Sequence, residues 1–158
     1  VGADAGVCLR TTHFRPRVSS PRPFVVVRTP YYRYVDYPLA MYFVDRGWHV
    51  LLQDSRGRFD SGGVFTLGDY EKRDAACTMR WLGAQEWFDG RAAVTGISIG
   101  GYTAWSSVAG NAEPSEDTGL KRLAVIPIIS SADIRKSGQN VRHSKGGDLI
   151  LPLEQSIR

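Results

Sequence analysis

Hydrophobic residues along the chain gather in five short runs, separated by polar or periodic segments. The runs occupy residues 7–14, 24–28, 48–54, 91–95 and 123–129. The first alternates apolar and polar positions, as a half-exposed strand does, whereas the other four are largely continuous. Continuous short runs favour strands that are covered on both faces of a sheet. The pattern therefore predicts five strands, four of them buried.

Between these runs, apolar residues recur at the spacing of an α-helix. Residues 38–46 form the first such segment, with a proline in its first turn and Gly47 as its stop. Residues 69–83 and 99–109 form the second and the third. Strands that alternate with helices predict a mostly parallel sheet with helices on both faces, so the fold class is α/β. No further strand of the sheet is predicted after residue 130.

Three segments with reactive side chains follow directly after predicted strands. Ser98 follows the strand at residues 91–95, Asp54 ends the strand at residues 48–54, and the segment 29–32 follows the second strand. In an open parallel sheet, ligands bind at the carboxyl ends of the strands. We therefore expect these three segments to lie at the same edge of the sheet.

Ser98 stands in the sequence Gly-Ile-Ser-Ile-Gly, between Gly96 and Gly100. This pattern is typical of a nucleophile elbow when a strand runs into the serine and a helix leaves it, because that sharp turn exposes the hydroxyl. Both flanking elements are predicted here. A Cβ atom at either glycine is expected to crowd the strained backbone of the serine. The sequence thus favours Ser98 as a nucleophile over an ordinary turn serine.

Composition narrows the class of protein. With 158 residues, of which 42% are hydrophobic, the chain can form one modest soluble domain, and no run approaches the roughly 18 apolar residues of a membrane span. The net charge is +4 and the arginines are dispersed, so no nucleic-acid partner is predicted, even at the arginine- and tyrosine-rich residues 28–34.

Cys8 and Cys77 have no metal-ligand or disulfide pattern and are expected to be buried free thiols. No targeting signal is evident; the compartment and the oligomeric state stay open, with the cytoplasm favoured.

Five segments follow one another along the chain: Val-Arg-Thr-Pro-Tyr at 27–31, Gln-Asp-Ser-Arg-Gly at 53–57 with Ser-Gly at 61–62, Trp-Leu-Gly-Ala-Gln-Glu-Trp at 81–87, Asp-Gly-Arg at 89–91, and Thr-Gly-Ile-Ser-Ile-Gly-Gly-Tyr at 95–102. In this order they resemble the X-Pro dipeptidyl-peptidase and cocaine esterase family of serine hydrolases. The likeness runs from about residue 6 to residue 147. It implies an α/β-hydrolase fold and hydrolysis of a small-molecule ester, amide or peptide by a serine nucleophile, without a metal or organic cofactor.

The resemblance implies roles for three residues. Ser98 matches the nucleophile, and the backbone amide of Ile99 and the hydroxyl of Tyr31 match the two donors of the oxyanion hole. Ile99 replaces a tyrosine that is frequent in the family, which is acceptable because the donor is a backbone amide. Tyr32 lies beside Tyr31 and leaves open which ring faces the serine, although the spacing from Pro30 favours Tyr31.

The catalytic base is not evident. In this fold the acid and the histidine follow the serine, whereas His13 is expected along the first strand and His49 at the start of a strand, on the wrong edge of the sheet. Asp133 and His143 complete the formal order, but one predicted strand separates them from Ser98 where the fold needs several, so the pair is a minor candidate. Asp133 has a second candidate role, the binding of a substrate amine.

The resemblance offers another explanation, because the family places its acid and histidine beyond a helical cap that follows the strand at residues 123–129. Residues 1–158 are then a partial catalytic domain, truncated before the cap and the last strands, with about 130–158 as the start of the cap or a linker. The chain by itself is expected to have little or no activity. The alternative is a non-catalytic fragment or interaction module that retains the elbow.

Several other polar and aromatic residues favour structural interpretations. Asp54 and Arg56 are expected to hold the loop after their strand rather than to act as catalytic groups. Asp74 is expected to contribute to the polar face of its helix, and Trp81 and Trp87 to pack in the core.

Overall fold

The computed structural model describes residues 1–3, 6–17, 20–111, 119–127 and 153–155. Six strands form one sheet within these ranges: β1 (Thr11–Phe14), β2 (Arg22–Thr29), β3 (His49–Asp54), β4 (Phe88–Gly96), β5 (Arg122–Pro127) and β6 (Leu153–Gln155). The helices are α1 (Tyr37–Val44), α2 (Glu71–Gly83) and α3 (Ile99–Gly110), and a 3₁₀ helix spans Arg33–Asp36. All five predicted strands and all three predicted helices are present.

The spatial order of the strands is β1-β3-β2-β4-β5-β6. The four inner strands run parallel to one another, while β1 pairs antiparallel with β3 and β6 antiparallel with β5. The α/β class with a mostly parallel sheet is therefore confirmed. The prediction that no strand follows residue 130 was wrong, because β6 pairs with Leu123–Val125 of β5. A strand of three residues is too short to show a period of two.

Two strands extend beyond their apolar runs. The strand β2 begins at Arg22, where its N–H donates to the carbonyl of Trp87, and β4 begins at Phe88 rather than at Arg91. Gly90 interrupts the pattern of β4 with a φ of +91°. Charged residues and glycine at strand ends are invisible to hydrophobic periodicity, whereas pairing with a neighbouring strand extends the element regardless of side-chain type.

The core has two layers, one on each face of the sheet. Because alternate strand residues point to opposite faces, Val26 packs towards α2 and α3, whereas Val25 and Val27 pack towards α1. Trp81 and Trp87 are half-buried against the first layer, as expected. The helices therefore cover both faces of the sheet in the described structure. The loops that follow the parallel strands meet at the carboxyl edge of the sheet.

The cysteines correct one expectation. Both are free, but Cys8 is exposed and Cys77 is half-buried, so neither is a fully buried thiol. Cys8 precedes β1, and its carbonyl accepts a hydrogen bond from the amide of Gly62. Among the described residues, no helix combines the length and the apolar character that a membrane crossing requires.

His13 lies along β1 and His49 begins β3 at the edge opposite to Ser98, each as expected, and the two side chains meet near that edge. His13 Nε2 and His49 Nδ1 are 2.8 Å apart, and both rings pack against Phe24 and Trp87. Burial, helped by the charges of His49 and Arg15, lowers the pKa of His13 from 6.5 to about 4. Burial also lowers the pKa of His49, which faces Arg15, Arg22 and Asp89. The fold therefore holds both imidazoles in their neutral form.

This pair predicts a loss of stability in mild acid. An unfolded histidine binds a proton below about pH 6.5, whereas folded His13 resists protonation down to about pH 4. The contribution of neutral His13 to the free energy of unfolding is therefore fully present above pH 6.5 and decreases as the pH falls towards 4. We expect the melting temperature, followed by circular dichroism, to fall by on the order of 5 °C more in the unaltered protein than in His13→Gln over that range. Parallel melting curves for the two proteins would exclude the histidine pair as the cause.

Candidate active site

Ser98 occupies the turn between β4 and α3. Its backbone has φ 57° and ψ −120°, a conformation that L-residues rarely adopt. The turn is held by hydrogen bonds in which the amides of Gly101 and Tyr102 donate to the carbonyl of Ser98. The side chain is exposed. Such strain persists only where the surrounding structure enforces it, and it is frequent at functional sites.

The two glycines that flank the serine have different roles. A Cβ atom at Gly96 would lie 2.3 Å from the carbonyl oxygen of Gly100, which is an impossible contact. A Cβ atom at Gly100 would meet only the carbonyl oxygen of Arg28, at 3.8 Å. The expectation that both glycines are needed for space was therefore right for Gly96 and wrong for Gly100. It is the backbone of the first helical turn, rather than its side chains, that approaches β4.

Tyr31 reaches the serine from the loop after β2, the neighbour of β4 in the sheet. Its Oη lies 3.2 Å from Ser98 Oγ and accepts a hydrogen bond of 3.4 Å from the amide of Ile99. The ring of Tyr32 instead contacts Tyr34 and Phe59. The structure thus brings Ser98, Ile99 and Tyr31 together and turns Tyr32 towards other aromatic rings.

The loop that carries Tyr31 is fixed by Asp54, which is fully buried at the end of β3. Asp54 Oδ1 accepts a 2.7 Å hydrogen bond from the amide of Arg33, and its other oxygen pairs with the guanidinium of Arg33. Arg58 Nε donates to the carbonyl of Pro30 at 3.0 Å. Asp54 therefore holds the loop, as expected, and does not contact Ser98.

A second set of charges lies buried between β2 and α2. Arg28 is 3.0 Å from Glu71, and Arg56 pairs with Asp74 through two nitrogens at 2.5 and 3.0 Å. Asp74 is 1% exposed, so the expectation that it belongs to a solvent-facing helix surface was wrong. Burial is the main cause that raises the pKa of Glu71 and lowers that of Arg28. The signal available in the sequence was Arg28 itself, because a charge at the end of an apolar strand needs a buried partner.

Four further residues were candidates or alternatives for the acid and the base. Asp133 and His143 lie outside the described residues. His13 and His49 lie at the other edge of the sheet. The two edges are about 16 Å apart, because β3 spans five residue steps of an extended strand. In the parts of the chain that the structure describes, no three His, Cys, Asp or Glu side chains cluster as metal ligands would.

The sheet order, the helices on both faces and the strained serine turn define an α/β-hydrolase. Solved structures with this fold include an aminopeptidase from a marine sediment archaeon, Thaumarchaeota archaeon, and an α-amino acid ester hydrolase. Each is 24% identical, with a TM-score of 0.62 over 77% of this chain and 23% of its own. A CocE/NonD family hydrolase from Staphylococcus aureus is 20% identical, with a TM-score of 0.61 over 80% of this chain and 26% of its own.

Sequence comparison identifies the family within that class. The model of the X-Pro dipeptidyl-peptidases (S15 family) matches residues 5–147. The cocaine esterase of Rhodococcus sp. (strain MB1 Bresler) is 33% identical over 138 residues, which are 84% of this chain and 23% of the esterase. The chain belongs to the X-Pro dipeptidyl-peptidase (S15) family, as its resemblance predicted. It spans about a quarter of the length of that curated relative.

The unequal glycines give a matched pair of substitutions. Gly96→Ala is expected to destabilise the protein by roughly 3 kcal/mol, because the new methyl group must displace the backbone of α3. Gly100→Ala has room for its methyl group and lies in a helix, where alanine is favoured over glycine by about 0.5–1 kcal/mol. Urea unfolding of both variants measures the difference. Equal destabilisation by the two substitutions would contradict the described contact.

Proposed function

We propose that the protein is a serine hydrolase of acyl compounds, with Ser98 as its nucleophile. The observation that carries the proposal is the position of the Tyr31 hydroxyl, which lies 3.2 Å from Ser98 Oγ and accepts a 3.4 Å hydrogen bond from the amide of Ile99. A serine with an ordinary structural role needs neither a positive φ nor a tyrosine hydroxyl held between its own hydroxyl and the next backbone amide. Membership of a peptidase family supports the same chemistry.

The proposed reaction has two steps. Ser98 Oγ attacks the carbonyl carbon of the substrate and loses its proton to a base, the bond to the leaving group breaks, and the leaving group takes up the proton. Water then hydrolyses the acyl-serine and releases the acid. In both steps negative charge develops on the carbonyl oxygen. That oxygen would accept hydrogen bonds from Ile99 N–H and Tyr31 Oη, and the amino end of α3 favours an anion there.

The proposed substrates are small esters, amides or peptides. The relatives are named for ester and peptide substrates alike, so the names support the acyl class and no single member of it. Around the serine, Ile97 is 57% exposed and Tyr31 42% exposed, which leaves apolar surface beside the nucleophile. Asp133 and His143 remain a minor proposal for the acid and base. We favour an acid and a histidine from beyond this chain, with little activity in residues 1–158 alone.

Tyr31 and Tyr32 provide a direct test in the full-length gene product. Tyr31→Phe removes a donor to the developing oxyanion and is expected to lower kcat for an activated ester by about 10²–10³-fold with little change in KM. Tyr32→Phe is the matched control and should retain kcat, because its ring is directed elsewhere. Ser98→Ala should abolish both turnover and labelling by an organophosphonate. Equal turnover of Ser98→Ala and the unaltered protein would refute the proposal.

The isolated chain tests where the base lies. Purified residues 1–158 are expected to hydrolyse the same ester no faster than the Ser98→Ala version of that chain. If the chain turns the ester over and Ser98→Ala abolishes this turnover, the base lies within residues 1–158. His143→Ala would then show whether His143 supplies it, since the histidine pair at the other edge is too far from Ser98.

A further inference from the structure

The two proposed oxyanion donors belong to different elements. The amide of Ile99 is fixed at the start of α3, whereas Tyr31 is carried by the loop after β2. A carbonyl oxygen can meet both donors only if α3 and the end of β2 keep a fixed separation. Misplacement by about 1 Å can lower a rate by as much as 10²-fold, so some contact has to set this separation accurately.

Thr103 makes that contact. Its side chain is completely buried, and its Oγ1 lies 2.5 Å from the carbonyl oxygen of Arg28 and 2.8 Å from that of Gly100. Arg28 is three residues before Tyr31, and Gly100 directly follows Ile99. One hydroxyl therefore lies between a carbonyl near the end of β2, three residues before Tyr31, and the carbonyl of the residue after Ile99 in α3. The 3.8 Å between an added Gly100 Cβ and the same Arg28 oxygen shows independently that the first turn of α3 rests on the end of β2.

We infer that Thr103 is a positioning residue that sets the geometry of the oxyanion hole. The inference rests on the proposed function and deepens it. The hydroxyl has one proton, which it shares between the two carbonyls in a bifurcated hydrogen bond, so both oxygens approach it closely. An apolar methyl group in its place needs about 3.5 Å from an oxygen. Loss of the hydroxyl would therefore push α3 and β2 apart by up to about 1 Å and separate Ile99 N–H from Tyr31 Oη.

The experiment compares three variants of the full-length gene product. Thr103→Val has the same shape without the hydroxyl, and Thr103→Ser restores the hydroxyl. Thr78→Val is the matched control, because Thr78 is also completely buried and donates to a carbonyl in its own helix, that of Asp74. Neither of the hydrogen bonds given for the Thr78 side chain reaches α3. The readouts are kcat and KM for an activated ester, the melting temperature, and the Ile99 N to Tyr31 Oη distance in crystals.

We expect kcat of Thr103→Val to fall by about 10- to 100-fold with KM nearly unchanged, and kcat of Thr103→Ser to stay within about twofold of that of the unaltered protein. Thr78→Val should lose comparable melting temperature and keep its kcat. Unchanged kcat in Thr103→Val, or an equal loss in Thr78→Val, would overturn the inference. If the unaltered protein is no more active than Ser98→Ala, the proposed function fails. In that case the Ile99 N to Tyr31 Oη distance in crystals of Thr103→Val tests the positioning role of Thr103 by itself. A longer distance supports that role, and an unchanged distance refutes it.

Discussion

The close approach of β4 and α3 at Gly96 is the constraint on which the rest of the site depends. Because the backbone of Gly100 fills the space of a missing Cβ, the chain has to reverse within two residues, and Ser98 is forced to a positive φ. The other end of α3 is equally close to α2, since a Cβ at Gly110 would lie 2.4 Å from the carbonyl oxygen of Lys72. The helix that follows the serine is thus fixed at both ends by backbone contact.

Buried charge fixes the loops around this helix. The ion pairs of Arg33 with Asp54 and of Arg28 with Glu71 lie behind the carboxyl edge, where β2 and β3 end side by side. Taking charges out of water is expensive, so such pairs contribute little net stability, and each partner is required once the other is buried. Their directional hydrogen bonds do constrain geometry. They hold the Tyr31 loop in one position, which an apolar contact would do less strictly.

The sequence was sufficient where structure is local, and insufficient where it depends on distant partners. The apolar runs located every inner strand, and the serine motif located the turn, because each signal lies within about ten consecutive residues. Asp74 and Gly100 were misjudged because their surroundings come from Arg56 and from the β2 strand. Tyr31 needed the resemblance, since in the local sequence only its place directly after Pro30 distinguishes it from Tyr32. The hydroxyl of Thr103 gave no sequence signal at all.

The arrangement of strands also limits how a base can reach the serine. Tyr31 approaches Ser98 from the β2 side of β4, and that side is filled by the loop that Asp54 and Arg33 hold. The neighbour of β4 on its other side is β5, and Gly96 pairs there with Pro127. In the proposed mechanism, the proton acceptor would therefore approach Ser98 from the β5 side or from above the sheet edge. The proposed nucleophile and its two proposed donors are held by β2, β4 and α3 alone, so their arrangement does not depend on the element that supplies the base.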